Sequence, residues 1–218
     1  SVLALQLERR GWQANAPMSM SARAENFSLD QKVYESLPPA LQEQWMKYKP
    51  TGVVDADLQV TFDGHEWRPQ AMLTGRNLEF ESDKFPYRVN NGSGTLGYVP
   101  KTANEPAVVT IDLVGYGGGQ PLRFSGQVFD PQPGAFFWVE ITGSNVEIED
   151  RMVAALPEKV RQVMSSLHPE GRFNVRWRID RTLPGQLKPL SSMRLELVNC
   201  RVNYEKFPYP LSGIRGVI

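Results

Sequence analysis

Apolar and polar residues alternate along two matching stretches of the chain, residues 54–62 and 173–180. Leu58 in the first stretch and Trp177 in the second both have polar neighbours on either side. A period of two with one polar side is typical of a strand in an antiparallel sheet that has one face open to water. Both stretches are therefore predicted to be strands of this kind.

Similar segments predict further strands, and segments rich in glycine and asparagine predict the turns between them. The clearest turns are expected at residues 90–94 and 115–119. The pattern indicates a mainly β chain. The further strands are predicted at residues 76–81, 94–99, 107–114, 122–129, 136–141, 145–148, 193–197 and 200–204.

Apolar residues recur at spacings of three and four within residues 31–48 and again within 149–167. This period predicts an amphipathic helix in each segment. Pro38 and Pro157 lie inside these segments, where proline fits only the first turn of a helix. We therefore expect a short turn, a break, and a helix that begins near each proline. We expect the apolar stripe to pack on the core rather than on a membrane surface.

Several landmarks return in constant order, which indicates an internal repeat. The Leu-Pro pair at 37–38 returns 119 residues later at 156–157. The Lys-Phe-Pro-Tyr segment at 84–87 returns 122 residues later at 206–209. The difference predicts three extra residues in the second copy, and the Pro- and Gly-rich segment 183–189 is the natural place for them.

The repeat divides the chain into three predicted parts. Residues 1–24 are the tail of a preceding repeat, residues 25–143 a complete repeat of about 120 residues, and residues 144–218 a partial second repeat. The chain is thus expected to be a fragment of a longer repeat protein. The predicted fold is mainly β with short helices (α+β), a repeated antiparallel sheet of groove or half-open type with one short amphipathic helix per repeat.

Charge and composition narrow the function classes. The chain has 24 basic and 24 acidic residues, whereas nucleic-acid binders normally gather a basic excess on one face. No nucleic-acid partner is expected. A single cysteine, Cys200, excludes an internal disulfide framework. No stretch approaches the roughly 18 apolar residues of a membrane span, so no transmembrane segment is predicted within these residues.

No catalytic constellation emerges from the sequence. His65 and His168 have no partner at metal-ligand spacing, and Cys200 is expected to be a small buried apolar residue. Glu79 and Glu81 alternate with apolar residues and are therefore expected on the solvated face of a strand, although paired acids can hydrolyse glycosides. The chain is predicted not to be an enzyme and to need no cofactor.

One segment resembles a known family. The run Phe207-Pro208-Tyr209-Pro210-Leu211 followed by Gly216 is similar to the aromatic-Pro-Tyr-Pro-Leu corner of the AsmA/TamB-like superfamily of bacterial envelope proteins, which are relatives of bridge-like lipid-transfer proteins. The first copy departs from the motif at Arg88. Residues 145–171 resemble the long repeat proteins of this type from planctomycete-type bacteria.

The resemblance implies a curved antiparallel sheet that forms a groove in the cell envelope or periplasm, with one apolar face along which lipid acyl chains lie. Its partners would be lipids and neighbouring repeats of the same protein. The alternative is a structural or adhesive spacer whose sheets are packed shut and which binds no lipid. The candidate groove residues are Leu58, Val60, Phe80, Val109, Ile111, Phe137, Val139, Trp177 and Ile179.

Overall fold

The computed structural model describes residues 2–13, 15–83, 85–183, 185–204, 206–207 and 209–218. In these residues the strands form one antiparallel sheet of eleven strands, and each strand pairs with the one before it in the sequence. The prediction of a mainly β, antiparallel chain is confirmed. The strands are β1 (Val2–Arg9), β2 (Met18–Ser28), β3 (Thr51–Phe62), β4 (Trp67–Ser82), β5 (Phe85–Val99), β6 (Val108–Gly117), β7 (Gln120–Phe129), β8 (Phe136–Glu147), β9 (Glu170–Arg181), β10 (Leu190–Val202) and β11 (Leu211–Val217).

The strand register sorts the side chains into two faces, since paired residues of an antiparallel ladder lie on the same side. The pairing that starts at Leu58 runs through Ala71, Tyr98, Val109 and Val128. We call the side that carries this row the apolar face. The opposite side of the sheet, which carries the alternate residues of each strand, is the polar face.

In the described residues, two pairs of short helices lie in the connections between strands, one between β2 and β3 and one between β8 and β9. The helices are α1 (Gln31–Ser36), α2 (Pro39–Tyr48), α3 (Asp150–Ala154) and α4 (Glu158–Leu167). Asp30 caps α1 by accepting backbone hydrogen bonds. Pro38 and Pro157 precede α2 and α4, and Leu37 is extended because a residue before proline avoids the helical conformation.

The predicted break at each proline is therefore correct, but the first part of each segment is a helix rather than a turn. The predicted burial of the apolar stripe holds only in part. Val33 is buried and Met152 packs against the core, whereas Leu41, Tyr48 and Val160 are exposed. The break interrupts the helical period, so residues before and after it do not form one continuous stripe.

The hydrophobic core lies at one end of the apolar face and includes the apolar side of the α3 segment. Val146 is its most buried side chain, with 2% of its surface exposed. Ala155, which directly follows α3, belongs to this core, and Met152 of α3 packs against the core. The buried core residues are Tyr87, Val89, Leu122, Val146, Ala155 and Phe173.

Five asparagines with positive φ lie at β-bulges, where one strand carries an extra residue: Asn26, Asn77, Asn91, Asn145 and Asn199. Asparagine tolerates this left-handed conformation better than most residues, and a bulge bends its strand and increases the twist. The turn predicted at residues 90–94 is wrong, because Asn91 forms a bulge within a continuous β5. The turn predicted at residues 115–119 is correct, since 118 and 119 connect β6 to β7.

The ladders share their register at fixed offsets. The pair Ala24–Ala56 of β2 and β3 has its counterpart 119 residues later in Gly143–Val175 of β8 and β9. The pairing of β4 with β5 recurs in β10 and β11 at an offset of 122. The three-residue difference falls between β9 and β10, where the sequence places its insertion. Lys84 and Pro208, which belong to the repeated Lys-Phe-Pro-Tyr segment, lie outside the described residues, as do Ser1 and Pro184.

Candidate functional site

The register places all nine candidate groove residues on the apolar face. Leu58 is 44% exposed, and the other eight are half-buried. They come from five different strands, β3, β4, β6, β8 and β9, so the sheet alone brings them onto one surface. The set is Leu58, Val60, Phe80, Val109, Ile111, Phe137, Val139, Trp177 and Ile179.

These nine residues divide between a covered and an uncovered part of the face. Phe80 borders the core and meets Phe124 edge-on, with ring centroids 5.2 Å apart. Trp177 meets Phe85 edge-on at 6.5 Å and donates its indole N–H to the Ser191 hydroxyl at 2.9 Å. The remaining residues extend away from the core, toward the ends of the strands that the helices do not reach.

The uncovered part of the apolar face includes β1. Leu3, Leu5 and Leu7 lie on the apolar face and are 67, 69 and 63% exposed. Surface patches of this kind are uncommon on monomeric soluble proteins and mark sites of interaction. Other exposed side chains of the same face are Met20, Trp67, Leu96, Met193 and Ile218.

Sequence reasoning missed β1, although the signal was present. Leucines alternate with other residues from 3 to 7, which is the same period of two that identified β3. The strand pairs with β2 through Leu5 and Ala22, which in turn pairs with Leu58. β1 therefore extends the apolar face to two strands beyond β3, which carries Leu58 and Val60.

The polar face carries ion pairs between neighbouring strands. Arg176 Nε lies 2.8 Å from Glu140 Oε2, and Arg123 Nη2 lies 3.1 Å from Asp112 Oδ1. Exposed pairs of this kind contribute about 0–1 kcal/mol each. The two faces of the sheet therefore differ: these ion pairs lie on one face, and uncovered apolar side chains lie on the other.

A network of hydrogen bonds stabilises the bulge at Asn26. The Asn26 backbone N–H donates to Asp55 Oδ1 at 2.8 Å, and Arg76 donates to the same oxygen at 2.8 Å. The hydrogen bond from Asn26 and the charge of Arg76 hold the pKa of Asp55 below its usual value. At the corresponding bulge the Asn145 N–H donates to Asn174 Oδ1, also at 2.8 Å. A neutral amide thus fills the place of the carboxylate in the second case.

Tyr87 links the core to the helical segment. Its hydroxyl donates to Glu149 at 3.3 Å, and the Arg151 guanidinium lies 5.9 Å from its ring centroid. Burial, together with the nearby Glu149 charge, raises the pKa of Tyr87. This contact joins the core to the residues at the start of α3.

The acidic residues, the cysteine and the histidine that the sequence analysis considered for chemistry make ordinary structural contacts. Glu79 pairs with Arg88 at 2.9 Å, and Glu81 pairs with Lys49 at 3.1 Å. Cys200 is buried, with its thiol 3.2 Å from the Arg172 carbonyl oxygen. His168 ends α4 and lines a shallow hollow with charged and amide neighbours. Within the described residues no group of three His, Cys, Asp or Glu side chains is arranged to hold a metal ion.

Comparison with protein-family models, with curated protein sequences and with solved structures finds no match for this chain. Among the described residues, no helix is long and apolar enough to cross a membrane. The described residues form a single open antiparallel sheet with two helix pairs, and the candidate site is the uncovered part of its apolar face.

Proposed function

We propose that this chain is a non-catalytic lipid-binding module in which the apolar face of the sheet holds acyl chains. The observation that carries the proposal is the uncovered row of leucines on β1, which continues into Leu58 of β3 while the reverse face is charged. An acyl chain would lie across several strands and contact side chains such as Leu5, Leu58 and Val109.

The energetics favour long aliphatic ligands over small ones. Each buried methylene contributes about 0.8 kcal/mol, whereas association costs at least about 4 kcal/mol. Ten buried methylenes therefore give about 8 kcal/mol, enough to exceed the lower end of that cost. The contacts are apolar and carry no hydrogen-bond pattern, so the surface would select for chain length rather than for headgroup.

We further propose that the sheet is built from a repeat of about 120 residues and belongs to a larger protein of the bacterial cell envelope. The common register of the two sets of ladders supports the repeat. The resemblance of residues 207–216 to the AsmA/TamB-like superfamily supports the envelope location and the lipid ligand. A groove formed by a curved sheet would then run continuously through successive repeats.

Two adjacent residues of β3 provide a matched test. Leu58 lies on the apolar face and Gln59 on the polar face, and both are exposed. The purified chain, Leu58→Lys and Gln59→Lys would each be incubated with vesicles of phosphatidylethanolamine and phosphatidylglycerol, separated from them, and extracted for mass spectrometry. Circular dichroism would verify that both variants fold.

We expect at least one phospholipid per chain for the native sequence and for Gln59→Lys, and at least about tenfold less for Leu58→Lys, which corresponds to about 1.4 kcal/mol. Equal loss in both variants would contradict a ligand on the apolar face. Lipid-free extracts from all three well-folded proteins would instead favour the structural spacer.

A further inference from the structure

Arg181, the last residue of β9, places a charge on the apolar face. The row of paired residues that runs from Leu58 to Val128 continues through Phe137 of β8 and reaches Arg181. The ladder between β9 and β10 begins one residue earlier, at Asp180, so the row ends at Arg181. Among the described residues of this row, Arg181 alone carries a charge.

The Arg181 guanidinium has no anionic partner within the part of the chain that the structure describes. The residue is half-buried, and its Nε is buried from solvent without a hydrogen-bond acceptor. The Phe137 ring lies beside it, with the guanidinium carbon 5.9 Å from the ring centroid. Buried N–H groups nearly always have an acceptor. An anion placed against the row would supply the acceptor that this donor lacks.

Arg178, on the same strand, provides the comparison. It lies on the polar face, with its guanidinium carbon 5.1 Å from the Trp138 ring centroid. Its Nε also donates to Asp180 Oδ2 at 3.1 Å. Arg178 and Arg181 therefore each lie beside an aromatic ring of β8, but Arg178 has a carboxylate partner and Arg181 has none.

The fold does not require a charge at the position of Arg181. The pair Phe137–Arg181 corresponds to Met18–Phe62 of β2 and β3, with both numbers shifted by 119. Phe62 stacks on the Trp67 ring, with centroids 4.8 Å apart. An apolar side chain thus satisfies the corresponding place in the sheet, and packing alone does not account for the arginine.

We propose that Arg181 binds the anionic head of an amphiphile whose acyl chain lies along the row toward Leu58. This inference rests on the proposed lipid-binding function and adds a head-group preference that the apolar contacts by themselves lack. A guanidinium presents its donors in a planar fork that matches two oxygens of a carboxylate or a phosphate. The row from β9 to β3 crosses six strand spacings, about 29 Å in all. The acyl chain can therefore contact apolar side chains along its length while its head stays at Arg181.

Two twelve-carbon ligands that differ in their head groups test the proposal on the native chain. Dodecanoate and dodecan-1-ol would be titrated separately at about pH 8, where the carboxyl group is ionised. Equilibrium dialysis with mass spectrometry would measure the bound ligand. Apolar contacts alone would favour the alcohol, because an ionised carboxylate costs more to remove from water. With Arg181 as the partner of the carboxylate, we expect dodecanoate to bind about tenfold more tightly than the alcohol.

Variants of the two arginines assign this preference to one face of the sheet. Arg181→Gln should weaken dodecanoate binding about tenfold and change dodecan-1-ol binding by less than about twofold. Arg181→Lys should bind dodecanoate with an affinity between those of the native chain and Arg181→Gln, since an ammonium keeps the charge but lacks the planar fork. Arg178→Gln is the matched control and should retain the full preference. Circular dichroism would verify that each variant folds.

The outcomes separate this inference from the proposed function. If dodecan-1-ol binds as tightly as dodecanoate, the role of Arg181 is overturned and the lipid-binding proposal stands. If neither ligand binds the folded chain, both proposals fail. Equal loss of dodecanoate in Arg181→Gln and Arg178→Gln would also overturn the role of Arg181, as would Arg181→Lys that binds no better than Arg181→Gln. Displacement of dodecanoate by an equal concentration of acetate, which has the head group without the chain, would overturn the assignment to an amphiphile.

Discussion

Gly94 and Gly216 occupy corresponding positions with positive φ, 139° and 156°, but among the described residues only Gly94 has a strand on both sides. Replacing either by alanine imposes a similar conformational cost and a similar change in the unfolded chain, so these contributions nearly cancel in the difference. What remains is the contact of the Gly94 methyl with β6, at 2.2 Å from the Asp112 oxygen and 2.8 Å from the Leu113 Cα.

Those atoms are backbone held between two ladders, so they cannot move aside without weakening hydrogen bonds. Overpacking costs about 1–3 kcal/mol, and one disrupted ladder hydrogen bond adds about 1 kcal/mol. We therefore expect Gly94→Ala to lower the free energy of unfolding by about 2–4 kcal/mol more than Gly216→Ala, measured by urea denaturation with unchanged m-values.

A second glycine pair controls for position in the chain. Cβ atoms at Gly52 and Gly171 would both meet backbone of the neighbouring strand, at 2.6 and 2.7 Å. Gly52→Ala and Gly171→Ala should thus differ by less than about 1 kcal/mol. A comparably small difference between Gly94→Ala and Gly216→Ala would refute the argument that β6 makes the glycine necessary.

Three further predictions concern the core and two polar contacts. Val146→Ala should cost about 2–3 kcal/mol in urea denaturation, from two lost methyl groups and the cavity that they leave, whereas exposed Val160→Ala should stay within about 0.5 kcal/mol. Asp55→Asn should keep the bulge as Asn174 does, and Asp55→Ala should not. The pKa of Asp55 in the folded chain is lower than the ordinary value of 3.8. The stability that its carboxylate contributes is therefore present above pH 3.8 and is lost as the pH falls through the folded-state pKa. The native chain should accordingly lose stability in acid relative to Asp55→Asn. The pKa of Tyr87 is raised, so the pH dependence has the opposite sign: the chain should lose stability as the pH rises through the folded-state pKa of Tyr87. Tyr87→Phe should remove that loss in thermal melts.

The strands of the site could be predicted largely from local pattern. Alternation identified β3 and β9, and with them Leu58 and Trp177. The pairing register between strands was harder to predict, because a shift of one residue moves every side chain of a strand to the other face. That register depends on bulges such as those at Asn26 and Asn91, and the sequence suggests a turn at the second of these as readily as a bulge.

The sequence by itself determined the alternation of faces within each strand, the breaks at Pro38 and Pro157, and the offsets that relate the two halves. These features follow from steric rules that act over a few residues. Only the tertiary structure decided which apolar residues are covered. Val146 and Leu58 are both apolar residues of alternating strands, yet one is 2% and the other 44% exposed. The difference arises because a helical segment packs over one end of the sheet and leaves the other end open, and contacts between residues far apart in sequence leave no local pattern.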